Sequence, residues 1–455
     1  MTKPLALLLL GCASLAAQSP FPAPANGLPD HPYFVKKTWI IGGYGNWDYL
    51  TVDPAAERLY IPHGGEVQVV DVKTGGLVGA VRLEDSVRDI PEAHAVALDR
   101  SGEFGYVSDS GDSSVAIFDR RDLNVAAKVK LKSAPRALVY DGQTGLLMAV
   151  SAGPPGAPPP GSGKQAFEKW EWDLQLREQR AARAREEWQR RHSPNTPMKR
   201  EAQSLPDEER SPCWSLYRPW ESLLTFIDPD KRAIVAEVKF CGFAGPAVAD
   251  GMGYVYVALV DRGDILRFDT SAISDRGKGG TLTLDWRTVT WHDYPGIHKP
   301  IEGFDGLDAF SPGSTCSRVK ALAADGSHSR LFAACDNRRF LVMDTGLGKS
   351  VAALDIDGGA EQIAYDAGPG QIYCANGSGG TLSIIHQDVA DSYHVVQSLP
   401  TYQLARTLAV DSSTGEVYLV TANHAIESVP DEWTGQQAVK LIPQDSSFQV
   451  LVVGN

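Results

Sequence analysis

The chain alternates short apolar runs with turns rich in Gly, Asp and Pro, and the stretch from Trp47 to Val81 shows this pattern most completely. Its four apolar segments begin at Tyr49, Leu59, Val67 and Leu77. Short strands joined by tight turns form an antiparallel meander. Because a single sheet of this kind cannot bury both of its faces, we expect the chain to repeat it.

Two markers show that the meander is repeated. The first is a turn aspartate followed seven residues later, or six in one copy, by an aromatic or apolar residue. These pairs are Asp53 with Tyr60, Asp99 with Tyr106, Asp141 with Met148, Asp250 with Tyr256, Asp325 with Phe332, Asp366 with Tyr373 and Asp411 with Tyr418. The second is an apolar run closed by a polar residue, and these runs end at Asp71, Asp119, Asp228, Asp269, Asp344 and His386.

The seven copies recur at roughly 41 to 46 residues, which is the range of blade repeats. The sequence therefore predicts an all-β fold, a seven-bladed β-propeller of four-stranded antiparallel blades over residues 36–455. We interpret the marker aspartates as turn formers. Lys36 to Ile41 reads as an extra strand, and we expect it to close the ring as the outer strand of blade seven, beside the C-terminal strand.

Residues 1–17 have the form of an export signal, with one Lys, a short apolar run and small residues after it. Cleavage after Ala16 or Ala17 is one expectation, and lipidation at Cys12, in a Leu-Leu-Gly-Cys sequence resembling a bacterial lipobox, is the other. Residues 18–35 form a Pro-rich tether. We therefore expect an exported protein, periplasmic or associated with the outer membrane or cell surface.

Three long segments interrupt the repeats. Residues 153–220 are an insertion within blade three, and an apolar stripe predicts a helix over about 164–191. Blade four spans about 246–294 and is followed by a long loop. Blade seven carries an excursion over 422–446 that includes a helix-like or irregular segment from Val429 to Lys440. On this reading all three segments lie at the same end of the propeller.

Charge and cysteine content narrow the function classes. A net charge of −13 argues against a general nucleic-acid surface, which needs concentrated Lys and Arg. No Cys-x-x-Cys motif is present, so haem attachment and zinc ribbons lack support. Outside the cytoplasm disulfides persist, and Cys213–Cys241 or Cys241–Cys316 is the expected pair. Cys335 and Cys374 lie in repeat strands and are expected to be small buried residues.

The repeated apolar strand, Asp-Pro type turn, Tyr-Val strand and Val-x-Val-x-Asp run resemble the YVTN-repeat propellers, also called YncE-like, over residues 36–455 except the insertion. The resemblance implies an exported or surface-associated propeller. The family includes binding and scaffold proteins, and related propellers serve as lactonases and redox-enzyme subunits.

A binding site is expected where the blades differ. In a propeller the start of each first strand and the end of each second strand meet at one mouth of the central channel. The charged or polar residues at these positions are Asp48, His63, His94, Asp109, Arg136, Lys320, Glu361, Asn376 and Arg406. One possibility is that these charges neutralise one another, and another is that the arginines bind an anionic ligand. A further alternative is a metal site with the ligands His63, His94 and Asp109.

We therefore predict a monomeric, non-catalytic propeller that binds a small anionic molecule or a protein or peptide segment at the mouth, partly covered by the insertion. The cofactor is unknown. One alternative is an enzyme, either a quinone-linked dehydrogenase subunit or a metal-assisted, lactonase-type hydrolase using Glu361, Asn376, Asp109 and His94. Another is a cell-surface interaction protein that uses the insertion helix.

Overall fold

The computed structural model describes residues 31–43, 46–83, 93–153, 221–260, 263–276, 282–284, 299–300, 307–430, 437–444 and 446–455. The export signal, Cys12, most of the tether and residues 154–220 with their expected helix and Cys213 lie outside the described residues. A helix long and apolar enough to cross a bilayer is not found in the described ranges.

Strand β1 (Phe34–Ile40) precedes the repeats. Blades one and two follow in order along the chain. Blade one contains β2 (Thr51–Asp53), β3 (Arg58–His63), β4 (Glu66–Asp71) and β5 (Leu77–Arg82). Blade two contains β6 (Ala93–Leu98), β7 (Phe104–Asp109), β8 (Ser114–Asp119) and β9 (Val125–Lys130). In both, consecutive strands pair antiparallel.

The sheet of blade three gains one strand from the part of the chain that belongs to blade four. Blade three contains β10 (Pro135–Tyr140), β11 (Leu147–Gly153), β12 (Glu221–Asp228) and β13 (Ala233–Cys241). Blade four begins with β14 (Ala244–Ala249), β15 (Tyr254–Leu259) and β16 (Asp264–Asp269). After β16 come helix α1 (Thr270–Arg276), β17 (Leu282–Leu284), β18 (Lys299–Pro300) and β19 (Leu307–Phe310). Strand β17 pairs in parallel with β13 at the edge of blade three.

The remaining blades complete the ring. Blade five contains β20 (Val319–Asp325), β21 (Arg330–Cys335), β22 (Arg339–Asp344) and β23 (Lys349–Asp355), with short 3-10 turns at Gly313–Thr315 and Gly326–His328. Blade six contains β24 (Ala360–Asp366), β25 (Gln371–Asn376), β26 (Thr381–Val389) and β27 (Ser392–Pro400). The last elements are β28 (Thr407–Asp411), β29 (Glu416–Thr421), β30 (His424–Pro430), β31 (Gln437–Pro443) and β32 (Gln449–Gly454).

The predicted seven-bladed propeller and its closure are confirmed. Blade seven has the strand order β28, β29, β32, β1, so the N-terminal strand forms its outer edge. Pairing of β1 with β32 runs antiparallel from Phe34 opposite Gly454 to Ile40 opposite Gln449. Trp39 on β1 stacks on Tyr418 at a centroid distance of 5.9 Å. The two ends of the chain therefore share one sheet.

Both sequence markers have a packing role. The aromatic or apolar marker residues on the second strands are no more than 2% exposed in any of the seven blades. The residue after the second marker in three blades donates a hydrogen bond to the turn aspartate of the preceding blade. These pairs are Arg120 with Asp53, Thr270 with Asp141 at 2.7 Å, and Gln387 with Asp325 at 3.1 Å. The turn aspartates therefore also join neighbouring blades.

Two expectations about the long segments are wrong. In the blade-seven excursion β30 and β31 pair as antiparallel strands, so 429–430 and 437–440 are strand and not helix-like or irregular, whereas 431–436 lie outside the described residues. The long blade-four segment joins the third strand, β16, to the fourth strand, β19, and does not follow the fourth strand. Third-to-fourth strand connections lie at the opposite end of a propeller from second-to-third connections. The sequence misled because 282–284 has strand composition but pairs with blade three.

Candidate binding site at the channel mouth

The first-strand residues predicted to line the mouth occupy a recurrent β-bulge. In blade three, Pro135 pairs with Ser151 and Ala137 with Val150, so Arg136 has no partner across the ladder. Equivalent register shifts fall at the residues His94, Gly245, Pro246, Lys320 and Glu361. A bulge re-aims a side chain and is common beside binding sites. Five blades therefore turn one or two residues out of the ladder at the same end.

In blades seven and one, Arg406 and Asp48 directly precede or lie near the first strands β28 and β2. Arg406 Nε lies 3.1 Å from Glu361 Oε2 of blade six. Its Nη2 donates to the carbonyl oxygen of Trp47 in blade one at 2.8 Å. The guanidinium also lies 5.5 Å from the centre of the Trp47 ring, within cation–π range. Arg406 thus links three blades across the mouth.

A second pair joins blades one and two. His94 Nδ1 donates to Asp48 Oδ2 at 2.8 Å, and the hydroxyl of Ser110 lies 3.2 Å from His94 Nε2. The His94 side chain is buried and the Asp48 side chain is about a quarter exposed. Both ring nitrogens are therefore engaged, and the Asp48 carboxylate has a partner.

Arg136 and Lys320 differ from these paired residues. Within the described ranges, neither forms an ion pair or a side-chain hydrogen bond. Arg136 is exposed and Lys320 is partly exposed. Between them in ring order lies blade four, whose bulge carries only Gly245 and Pro246. A side chain at Gly245 would collide with Val260, since an added Cβ would lie 2.4 Å from its Cγ2.

Charges from several blades act on one carboxyl group of the mouth. Burial raises the pKa of Glu361, Arg406 and Lys320 oppose that rise, and Asp48 adds to it. Residues from blades five, seven and one therefore act on one carboxyl group of blade six. The acids and their hydrogen-bonded partners occupy blades six, seven, one and two, whereas Arg136 and Lys320, which form no ion pair within the described ranges, occupy blades three and five.

Three other predicted mouth residues do not open into the channel. His63, Asp109 and Asn376 end their second strands and are at most 4% exposed. A second strand lies between the first and third strands of its own blade, with neighbouring blades packed on both faces, so its side chains turn into the blade interior. The expectation that they line the mouth is therefore corrected.

Their contacts are local. Asp109 accepts a hydrogen bond from the backbone N–H of Asp112 at 3.1 Å, and burial raises its pKa. The Asn376 amide donates to Ser383 Oγ at 2.9 Å and to Thr381 Oγ1 at 3.2 Å. The hydrolase alternative required both residues beside Glu361, and these contacts give it no support.

His63 instead lines a separate open pocket of about 380 Å³ at the edge of blade one, together with Gly43, Glu66, Gln68 and Arg82. Its Nδ1 lies 3.1 Å from Gln68 Oε1, and its ring stacks on Phe448 at 4.1 Å. Among the described side chains, no group of three or more His, Cys, Asp or Glu residues is placed to hold a metal ion.

In three other blades the same second-strand position ties down the loop that enters the blade. Ser151 donates to the carbonyl oxygen of Ser133 at 3.2 Å, and Thr421 donates to that of Gln403 at 2.9 Å. In blade five the tie is covalent, because Cys335 forms a disulfide with Cys316. The expected pairing of Cys241 with Cys316 is therefore wrong. Cys335 is a disulfide partner, whereas Cys374 is a free, buried thiol as expected.

The sequence interpretation missed Tyr49. The pKa of its phenol is raised by burial and by the charges of Asp48 and Glu361, while Arg406 and Arg136 act in the opposite direction. Charges from blades one, three, six and seven thus act on one hydroxyl group. The signal was present, because Tyr49 directly follows the mouth residue Asp48 and is the one aromatic residue at that repeat position.

No protein-family model matches the chain, and no curated protein matches it in sequence. Solved structures do match in fold. They include the WD40 repeats of RRP9, with 7% identity and a TM-score of 0.57 over 93% of this chain and 97% of that one. The structure of U3-55K matches with 8% identity and a TM-score of 0.56 over 92% of this chain and 98% of that one. A chain of the mitotic checkpoint complex matches with 10% identity and a TM-score of 0.54 over 92% of this chain and 95% of that one.

At these identities the likeness shows the fold alone. In all, 1574 chains of solved structures match, so the architecture is too widely shared to indicate one activity. Function must therefore be argued from the residues in which this ring departs from its own repeat. The comparisons and the strand topology together establish an all-β, seven-bladed propeller, a fold consistent with a binding or scaffold role.

Proposed function

We propose that this protein is an exported propeller, of the YVTN-repeat kind, that binds a small anionic ligand at the channel mouth. The observation that carries the proposal is a pair of cations, Arg136 and Lys320, that form no ion pair or side-chain hydrogen bond with any described residue and lie on either side of Gly245 and Pro246. A mouth built only for neutrality would pair its cations. Here Arg406 pairs with Glu361 and Asp48 pairs with His94, whereas the opposite side of the mouth carries Arg136 and Lys320.

The blade-four bulge carries no charged or hydrogen-bonding side chain, which favours a ligand at this position. A carboxylate or phosphate group placed there would contact a guanidinium from one side and an ammonium from the other. The net charge of −13 makes a local cationic patch unusual for this chain. A carboxylate-bearing peptide segment is the related alternative within the same proposal.

Export is supported by the disulfide between Cys316 and Cys335, since such bonds persist mainly outside the cytoplasm. The N-terminal 17 residues have the composition of an export signal. We propose a periplasmic or surface-associated monomer on these grounds. Mass spectrometry of protein recovered from the natural host would identify the first residue and any lipid at Cys12.

Calorimetric titration with citrate and with inorganic sulfate tests the anion site. Replacing Arg136 or Lys320 by Ala should weaken binding at least about tenfold, because each removes a charge-assisted contact worth about 1.5–3 kcal/mol. The matched control is Arg121→Ala, which removes an exposed arginine at the opposite end of blade two. Equal affinity of R136A, K320A and R121A would overturn the proposal, as would a failure of the parent protein to bind either anion.

A protein-interaction role is the second candidate, and the hairpin of β30 and β31 favours it. The hairpin joins the second and third strands of blade seven, so it belongs to the mouth end. Ile426 on β30 is 71% exposed. Replacing 424–443 by a short turn should leave sulfate binding unchanged while removing crosslinks to a protein partner in host extracts. Crosslinks that persist without the hairpin would argue against this role.

A further inference from the structure

Tyr49 lies within reach of charges from opposite sides of the ring. Its hydroxyl is influenced by Asp48 on its own blade, by Glu361 and Arg406 on blades six and seven, and by Arg136 on blade three. Its backbone N–H donates to the carbonyl oxygen of His94 in blade two at 3.1 Å. This backbone contact, and the packing of the ring against a core that includes first-strand residues of blades two and three, place Tyr49 on the channel side of blade one.

The ring of Tyr49 is partly buried and packs against the core between blades two and three. That core includes Leu138 of β10 and Ala95 and Ala97 of β6, which are first-strand residues. The ring therefore extends from blade one past blade two towards blade three. It lies immediately below Asp48 in the mouth, since it follows that residue along the descending first strand.

The other blades leave room for this ring. The equivalent positions, four residues before each marker aspartate, hold Ala95, Ala137, Pro246, Ala321, Gln362 and Thr407. Only Gln362 is also long, and it reaches sideways along the channel wall. Its amide donates to the carbonyl oxygen of Leu50 at 3.3 Å and accepts from the N–H of Leu408 at 3.0 Å. Tyr49 and Gln362 are thus the two long side chains at this level of the first strands.

We propose that Tyr49 forms the floor of the binding site and that its hydroxyl donates a hydrogen bond to the anion held by Arg136 and Lys320. The inference rests on the proposed function and deepens it in two ways. It adds a ligand-contacting residue on blade one. It also specifies a compact ligand with several oxyanion oxygens that enters the mouth from one end, as opposed to an extended polypeptide threaded through the channel.

The chemistry suits a neutral donor at this point. Burial and the two nearby carboxylates keep the phenol protonated, so Tyr49 offers a proton to an anion without adding a charge that would need its own partner. Arg136 and Lys320 supply the positive charge, and the hydrogen bond from the phenol orients the anion. Recognition by a few convergent polar groups above an aromatic surface is common in small-molecule sites.

The test compares Tyr49→Phe with Tyr402→Phe in the full chain. Tyr402 lies in the loop that enters blade seven at the same end and is 54% exposed, so it is a matched control for loss of a phenol. Calorimetry with citrate and with inorganic sulfate should show affinity about tenfold lower for Y49F and unchanged for Y402F. Thermal unfolding of Y49F should match the parent, because the ring is retained.

Each remaining outcome decides a different point. Loss of binding in R136A together with full binding in Y49F would overturn the role of Tyr49 and leave the anion site in place. Full binding in both variants would overturn the site as well. A ten-residue oligoglutamate that binds the parent more tightly than citrate, and equally well in Y49F, would overturn the compact ligand. No binding of either anion by the parent would overturn both proposals.

Discussion

At the scale of single residues, the turn aspartates have two functions in the fold. Asp53 accepts the N–H of Ala56 within its own turn at 3.1 Å, as a turn former should. It also pairs with Arg120 of the next blade, and both side chains are at least nine-tenths buried. The repeated aspartate therefore couples local turn geometry to contact between blades.

Replacing Arg120 by Ala should cost about 3–5 kcal/mol of folding free energy, because it leaves the buried Asp53 carboxylate without its cationic partner. Arg121→Ala is the control. The Arg121 side chain is 75% exposed, so its pairing with Asp119 is screened by solvent and should contribute little to stability. Chemical denaturation of both variants would measure the difference. Equal stabilities would show that the contact between blades one and two does not depend on this pair.

At the scale of the elements, the bulged first strand explains how a regular sheet presents irregular chemistry. Residues on either side of the bulge keep their ladder partners, as Val319 does with Cys335 and Ala321 with Ala334. Lys320 between them is freed to face the channel. The second strands have no such bulge at this end, and their terminal side chains hold the incoming loops.

Replacing Cys316 and Cys335 together by Ser should lower stability by about 3 kcal/mol, the cost in chain entropy of opening a loop closed over a sequence separation of 19. The denatured state gains most of the freedom, so the folded structure should persist. Thermal unfolding with and without reductant would measure the effect. Reductant should lower the unfolding temperature of the parent and leave that of the double variant unchanged. An unchanged unfolding temperature of the parent would show that the disulfide does not contribute to stability.

The repeat markers made the blades and the closure predictable, because the aromatic or apolar marker residue of the second strand is buried in every copy and so recurs in the sequence. Segments without the repeat were predictable only in part. The fourth strand of blade four could not be located, since 282–284 and 307–310 are both short apolar runs and the choice between them depends on pairing with blade three.

The candidate site shows the same division. Arg136, Lys320, Glu361 and Arg406 could be placed at the mouth by counting from the marker aspartates. The orientation of His63 could not, because counting gives the end of the strand and not the face on which a side chain lies. The pairing of Cys316 with Cys335 was missed for a related reason, since a loop residue and a strand residue are brought together only by the fold.

At the scale of the whole molecule, the ring depends on a strand from the other end of the chain. Trp39 on β1 covers Gly75 of blade one, where an added Cβ would lie 2.4 Å from the indole, and it stacks on Tyr418 of blade seven. It therefore contacts both sides of the closing joint between blades seven and one.

Trp39→Ala should destabilise the protein by about 3 kcal/mol, near the lower end for loss of a packed tryptophan because the ring is only partly buried. The neighbouring Ile40 is 69% exposed, and Ile40→Ala should change stability by no more than about 0.5 kcal/mol. Thermal and chemical unfolding would compare the two. Similar losses would indicate that the joint is held by backbone pairing alone.

Closure of the ring also sets the charge balance of the mouth, because Glu361 on blade six faces Asp48 and Tyr49 of blade one as well as Lys320 and Arg406. Burial raises the pKa of Glu361 in the folded protein. The protonated form is thus favoured by folding, and its stabilising contribution is present at acid pH and lost as pH rises through the folded pKa. Lowering the pH removes one negative charge from the site.

Sulfate binding should therefore strengthen as pH falls through the pKa of Glu361, since sulfate keeps its charge over this range while the mouth becomes more positive. Glu361→Gln imitates the protonated state, so it should bind sulfate about fivefold more tightly at neutral pH, equivalent to about 1 kcal/mol of removed repulsion. Its affinity should also vary less with pH than that of the parent. Calorimetry at several pH values would measure both effects. A parent and an E361Q variant with the same pH profile would contradict the role of Glu361.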